Sequence, residues 1–259
     1  MKKVFLLLLL ISLVTSLSAQ SRVDKNFTVN GVTFTMVYVD GGSFMMGSSE
    51  DPPGYTLNQE RPVHKVTLSG YYIGKYEVSQ RLWQAVMGSD PSPYKNPMPD
   101  NEFIDVPVHN VSWNDCQEFI RKLNKLTGRQ FRLPTEAEWE FAARGGVKSR
   151  GYKYAGSDNP SLVAWFDRKS PTYIGPSRDR RGNELGIYDM SGNVCEWCQD
   201  WYGDYSKSAQ TNPKGPSSGS YRVNRGGGWA YPLVLCRVTF RNWGSPSHAG
   251  SYVGLRLAL

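Results

Sequence analysis

GIYDMSGNVCEWCQDWY, residues 186–202, gathers two Trp, two Cys, two Tyr and five acidic or amide side chains into seventeen residues. Neither a helical nor a strand period of apolar residues fits it. Side chains this large in so irregular a stretch imply that the stretch itself is buried core. Its backbone polar groups then need partners, and carboxylates, amides or a bound cation are the groups that supply them.

Working outward, the two cysteines of the stretch, Cys195 and Cys198, are joined in the chain by Cys116 and Cys236. Four cysteines allow three pairings. A zinc site would need a second pair of ligands, and His64, His109 and His248 are scattered. No βαβ pattern surrounds the C-x-x-C, so a thioredoxin-like redox motif is not indicated either. Cys116 falls on the apolar side of a helical pattern and reads as a small buried hydrophobe.

The first nineteen residues read as a secretory signal. Lys2 and Lys3 precede an apolar run from Val4 to Val14, and Leu17-Ser18-Ala19 leads to a small-residue cleavage site. The run is short for a membrane span, and nothing later in the chain is long and apolar enough to be one. The expected location is therefore exported: periplasmic, cell-envelope or secreted. In an exported chain, disulfides are the default state of cysteine. Beyond Ala19, 28 basic residues face 23 acidic ones in a scattered pattern, which argues for a mixed solvated surface and against nucleic-acid binding.

Residues 20–30 are polar and read as a lead-in, and 31–259 as one domain. Val32–Val39 alternates as a strand, and Ser43–Gly47 begins a second. Pro62–Ile73 alternates as a third, with His64 on its polar face. Ser79 caps a helix ending at Gly88. Ser112 and Asp115 form a capping-box pattern ahead of a helix closed by Gly128, and Thr135 and Glu138 form another before Gly145. Tyr154, Trp165, Tyr173 and Ile174 are isolated anchors in a coiled region. Tyr221–Arg225, Val234–Asn242 and Tyr252–Leu259 read as closing strands. The result is an α+β domain of low regular secondary structure.

Seven segments in order carry a more specific signal. They are GGSFMMGS at 41–48, YYIGKYEVSQRLWQAVMG at 71–88, PVHNVSWNDCQEF at 107–119, RLPTEAEWEFAARGG at 132–146, the opening stretch, RGGGW at 225–229, and CRVTFRN at 236–242 followed by GLRLAL. Together they resemble the formylglycine-generating enzyme, or sulfatase-modifying factor, family. The resemblance covers residues 32–259 and implies a C-type-lectin-like fold. The family's enzymes oxidise a sulfatase cysteine to formylglycine with two active-site cysteines, oxygen and copper. Carried over residue by residue, the first cysteine position is Tyr231 and the second is Cys236. Gly228 stands where those enzymes have a serine, and Cys195 where they have a Trp. A phenol is not a soft thiolate ligand, so the two-thiolate copper site is not expected here. The histidine motif of the iron-dependent sulfoxide synthases of the superfamily is also missing.

The resemblance further implies a structural calcium on the opening stretch. Its ligands would be the Asp189 and Glu196 side chains and the Gly192 and Val194 carbonyls, hard oxygens suited to Ca²⁺. Relatives with cysteines at both corresponding positions imply a Cys198–Cys236 disulfide, with Cys195–Cys236 as the competing pairing. Two functions follow. One is a binding or accessory module whose protein, peptide or glycan ligand meets a face formed by Tyr231, Trp243, His248 and Tyr252, a region diversified in some lectin-fold relatives. The other is an oxidoreductase acting on a sulfatase cysteine through Cys236.

Overall fold

The computed structural model describes residues 23–95, 105–167, 175 and 179–259. The secretory signal, Tyr173 and Ile174 lie outside the described residues. Three small sheets and three helices are joined by long irregular connections. In the first sheet, β1 (Lys25–Val29), β2 (Val32–Val39) and β5 (Tyr71–Gly74) run antiparallel in the order β1-β2-β5. Asn30 and Gly31 both take positive φ, 46° and 82°, the geometry an Asn-Gly hairpin turn requires. Residues 25–29 are therefore the edge strand of a sheet, not a lead-in. Their polar residues face solvent while Phe27 packs between Phe34 and Phe131.

The second sheet holds β3 (Gly42–Met46), β4 (His64–Leu68) and β7 (Gln210–Thr211). The segment 62–73 is thus two strands in two sheets, not one. The break falls at Ser69–Gly70, where a Cβ on Gly70 would stand 2.2 Å from the Tyr38 hydroxyl. His64 is buried, with Nδ1 3.0 Å from the Pro62 carbonyl and its ring edge-on to Tyr205, so it is not on a polar face.

The third sheet has the order β10-β6-β8-β9, from Val253–Leu255, Cys195–Trp201, Arg222–Arg225 and Arg241–Gly244. The stretch that reads as irregular therefore contains the strand β6. Five of its seven residues are buried and the other two partly so; both faces are covered, a condition that erases the period of two. Val234–Asn242 is likewise not one strand: Leu233–Cys236 forms a 3-10 turn and pairing begins only at Arg241.

The helices form where their caps place them. α1 (Gln80–Met87) is capped by Ser79 and ended by left-handed Gly88. In α2 (Trp113–Thr127) and α3 (Glu136–Ala143) both capping boxes close. α1, α2 and the first sheet enclose one core cluster with Trp197. Trp139 and Phe141 of α3 anchor a second.

Among the described residues, four buried arginines paired with glutamates knit the long connections to these cores. Arg225 meets Glu140, Arg241 meets Glu136 at 2.6 Å, Arg237 meets Glu60 at 2.6 Å, and Arg256 meets Glu196 at 2.6 Å. Two of the acids lie on α3, so that helix serves as an acidic post gripped by arginines from the last third of the chain. Each guanidinium also donates to backbone carbonyls or side-chain oxygens, as Arg225 does to Thr239 and Arg237 to Thr239 Oγ1. Such added bonds offset the desolvation of a buried pair.

Candidate functional site

Successive side chains of a strand point to opposite faces. Cys195 and Trp197 of β6 accordingly join the core of α1 and α2, while Cys198 joins the core of Trp139. A C-x-x-C on a strand thus separates its two sulfurs. All four cysteines are buried and free. The expected Cys198–Cys236 disulfide is not formed, and neither is its competitor. Cys198 lies among Asp200, Glu136 and Arg225, whereas Cys236 lies within electrostatic reach of Cys195.

The run Gly226–Gly228 threads past both of these sulfurs. A Cβ on Gly227, at φ +70°, would stand 2.8 Å from Cys236 Sγ and 2.5 Å from the Leu235 carbonyl. One on Gly228 would stand 3.7 Å from Cys195 Sγ. Tyr231 lies against Cys195. Its backbone N–H donates to the Gly228 carbonyl, and its hydroxyl is hydrogen-bonded to the Cys195 side chain and accepts from Asn242 Nδ2 at 3.3 Å. Its ring lies 5.3 Å from that of Tyr252, whose hydroxyl is 3.4 Å from His248 Nε2.

Burial pushes the Cys236 thiol up to about 12, and the negative charge of Asp167 adds to it. Burial also raises Cys195 well above an ordinary thiol. Cys236 reinforces this and the Tyr231 hydrogen bond opposes it. Both sulfurs are therefore neutral thiols in this protein. Of the four aromatic residues proposed for a recognition face, Tyr231, Tyr252 and His248 cluster. Trp243 stands apart, 42% exposed and packed on Tyr202 at 4.5 Å. The role of Cys195 as the neighbour of Tyr231 is a contact that the sequence signals only through the paired exchanges at 195 and 231.

The proposed calcium turn precedes β6. Asp189, Gly192 and Asn193 take φ of 59°, 83° and 60°, and a Cβ on Gly192 would collide with the Trp165 carbonyl at 1.9 Å. Asn193 Nδ2 and the Val194 N–H both donate to Glu77, at 2.7 and 3.2 Å. Glu77 is the residue the sequence reading missed. It lies far off in the chain, just before α1. Burial raises its pKa, Asp189 and Glu196 raise it further, and Arg256 opposes them. Glu196 receives Arg256 on both oxygens and the Trp139 Nε1–H at 2.6 Å. Among the described residues no three carboxylate, imidazole or thiol groups converge as a metal shell. A cation at this turn would therefore depend on backbone carbonyls.

Three small sheets tied together by buried arginine–glutamate pairs define an α+β class of protein. The model of the family described as "Sulfatase-modifying factor enzyme 1-like domain" matches residues 22–259, and the chain belongs to that family. It is 32% identical to "Chaperone protein LppX" of Paenibacillus barcinonensis over 98% of both chains. It is 30% identical to the "Formylglycine-generating enzyme" of Thermomonospora curvata, over 86% of this chain and 92% of that one. Among solved structures, "Treponema denticola variable protein 1" superposes with a TM-score of 0.79 at 33% identity, covering 91% of this chain and 98% of the other. The C-terminal third, where the pocket residues lie, is thus set on a scaffold of the same fold.

Proposed function

We propose that this chain is an exported binding or accessory module on the formylglycine-generating-enzyme fold, not a copper oxidase. The observation that carries the reading is Tyr231. Its phenol stands at the carried-over first cysteine position, hydrogen-bonded to Cys195. Soft thiolates suit Cu(I) and a phenol does not. The half-buried cluster of Tyr231 and Tyr252 beside exposed His248 offers aromatic anchors of the kind that dominate recognition interfaces. The name of the Paenibacillus relative, a chaperone, supports a protein or peptide ligand in preference to a glycan.

The second reading is favoured by one contact. Cys195 sits against Tyr231 and within reach of Cys236, so a thiol pair is present although it is not the family's pair. An anaerobic Cu(I) titration with a competing chelator separates the two readings. The binding-module reading expects no stoichiometric tight copper and no oxidation of a cysteine peptide in air. Tight copper lost in both Cys195→Ser and Cys236→Ser, together with peptide oxidation, would sink it.

Export is tested by the N-terminal residue of the mature protein, which this reading places just after Ala19. Calcium at Asp189, Gly192, Val194 and Glu196 is supported by charge: Glu77, Asp189 and Glu196 surround the single guanidinium of Arg256. The ligand set fits less well, because Glu196 already holds Arg256 and Trp139. A melting temperature unchanged by calcium and by chelator would remove calcium from the proposal.

A further inference from the structure

A cleft of about 500 Å³ opens at the C-terminal end of β6. Such a volume holds a small ligand or a single side chain with its backbone. Asp200 lies at its wall, only 4% exposed. One carboxylate oxygen, Oδ2, accepts the Glu136 N–H at 2.9 Å and so caps the first turn of α3. The other, Oδ1, takes no hydrogen bond among the described residues and is not sealed off. The 213–216 loop crosses it closely. A Cβ on Gly215, at φ +70°, would stand 2.9 Å from Asp200 Cβ and 3.2 Å from Oδ1.

The other charges of the cleft cancel. Glu136 is spent on Arg241, through two bonds of 2.6 and 2.8 Å, and Tyr205 donates to the same carboxylate. Arg241 gives its remaining hydrogens to the Gln59 and Gly203 carbonyls. Asp204 and Lys214 line the cleft with opposite signs. His64 also lines it, with Nδ1 3.0 Å from the Pro62 carbonyl. What remains is the buried acid Asp200, which forms no ion pair among the described residues, with Arg241 engaged by Glu136 and Lys214 at the rim. A metal ion is disfavoured, because no three ligating groups converge here.

We propose that this cleft binds a primary ammonium group, with Asp200 as its counter-charge. The site is independent of the thiol pocket and of the binding-module reading. Asp200 is held up at about 8, first by burial and then by the charge of Glu136, with Glu138 adding and Arg241 opposing. Arg222 and Cys198 also lie within electrostatic reach of it. An arriving ammonium must therefore ionise Asp200 and expel its proton. Affinity climbs by up to about tenfold per pH unit as pH rises toward that value. It levels off above it and falls again near ~10, where the amine itself loses its proton.

The ammonium can come from a lysine side chain in a polypeptide or from a free aliphatic amine. Calorimetric titration of the full chain with Nα-acetyl-lysine methylamide, pentylamine and pentanol distinguishes them. Binding of the lysine derivative alone assigns a polypeptide partner, and binding of pentylamine alone or of both assigns a free amine group as sufficient. Pentanol binding as tightly as pentylamine, or no binding by either amine, overturns the proposal. So does affinity that falls as pH rises from 6 to 8. Asp200→Asn, which retains an acceptor for the Glu136 N–H, is expected to weaken amine binding at least tenfold. Lys214→Met, on the exposed rim, is expected to tighten it by about threefold at low salt, since it removes a like charge. The Lys214 variant keeps the test decisive should the Asp200 variant melt early.

Discussion

Two buried regions of this molecule treat ionisable groups in opposite ways. Around α3, Glu136 and Glu140 are enclosed by Arg241 and Arg225, and burial there preserves charge because each acid has a guanidinium. Around the glycine run, Cys195 and Cys236 meet a phenol, a glycine backbone and each other, and burial keeps them neutral. The same depth thus yields an ionic framework in one place and inert sulfur in the other. What differs is the partner, not the degree of burial. A redox site in the second region would need the first region's resource, a nearby cation, to favour its thiolates.

The sharpest way to break this comparison is to take a partner out of the ionic region. Arg256→Met leaves Glu196 uncompensated beside Glu77 and Asp189, and is expected to cost about 3–5 kcal/mol by chemical denaturation. A loss below about 1 kcal/mol would mean that the pair does not hold the framework. The thiols give the converse test. With Cys236 up to about 12, its thiolate fraction at neutral pH lies about a thousandfold below that of a free thiol. Native protein should therefore resist a thiol reagent at all four cysteines and react at all four in denaturant. Rapid modification of Cys236 in the native state would contradict the neutral pocket.

Asp200 sits between the two behaviours, an acid buried without its own cation. Its folded value of about 8 lies above the ordinary carboxylate value of 3.8, so the folded state holds a proton that the unfolded chain has released. Stability from this group is complete below 3.8 and is lost as pH rises toward about 8. The slope approaches ~1.4 kcal/mol per pH unit within that window. Asp200→Asn should flatten the profile, as followed by urea unfolding across it. The smallest effect belongs to a region with no charge anomaly. Ser112→Ala removes the cap of α2 and should cost about 1 kcal/mol.

What the sequence makes legible follows the same division. The caps of α1, α2 and α3 are local, since donor, acceptor and stop signal lie within a few residues, and all three read correctly. β6 did not read as a strand because both its faces are buried, which removes the alternation that marks a half-exposed strand. The break between β4 and β5 is set by Tyr38, a residue distant in the chain that fills the space beside Gly70. Likewise Glu77 meets Asn193, and Cys195 meets Tyr231, across separations that no pattern within a window registers. Family motifs marked Tyr231, Cys236 and residues 186–202 as candidates. Only the fold brought His64, Asp200 and Lys214 to one cleft.

The four arginine–glutamate pairs also impose an order on the protein's birth. Glu60, Glu136, Glu140 and Glu196 leave the ribosome before the arginines that match them, separated from those partners by 177, 105, 85 and 60 residues. The acids of the interior must wait in water until Arg225, Arg237, Arg241 and Arg256 follow them. A nascent chain lacking those arginines cannot bury α3 without stranding charge. Burial of these acids is thereby postponed until the arginines that follow them have been made, and a chain stopped before Arg225 is expected to remain open around α3.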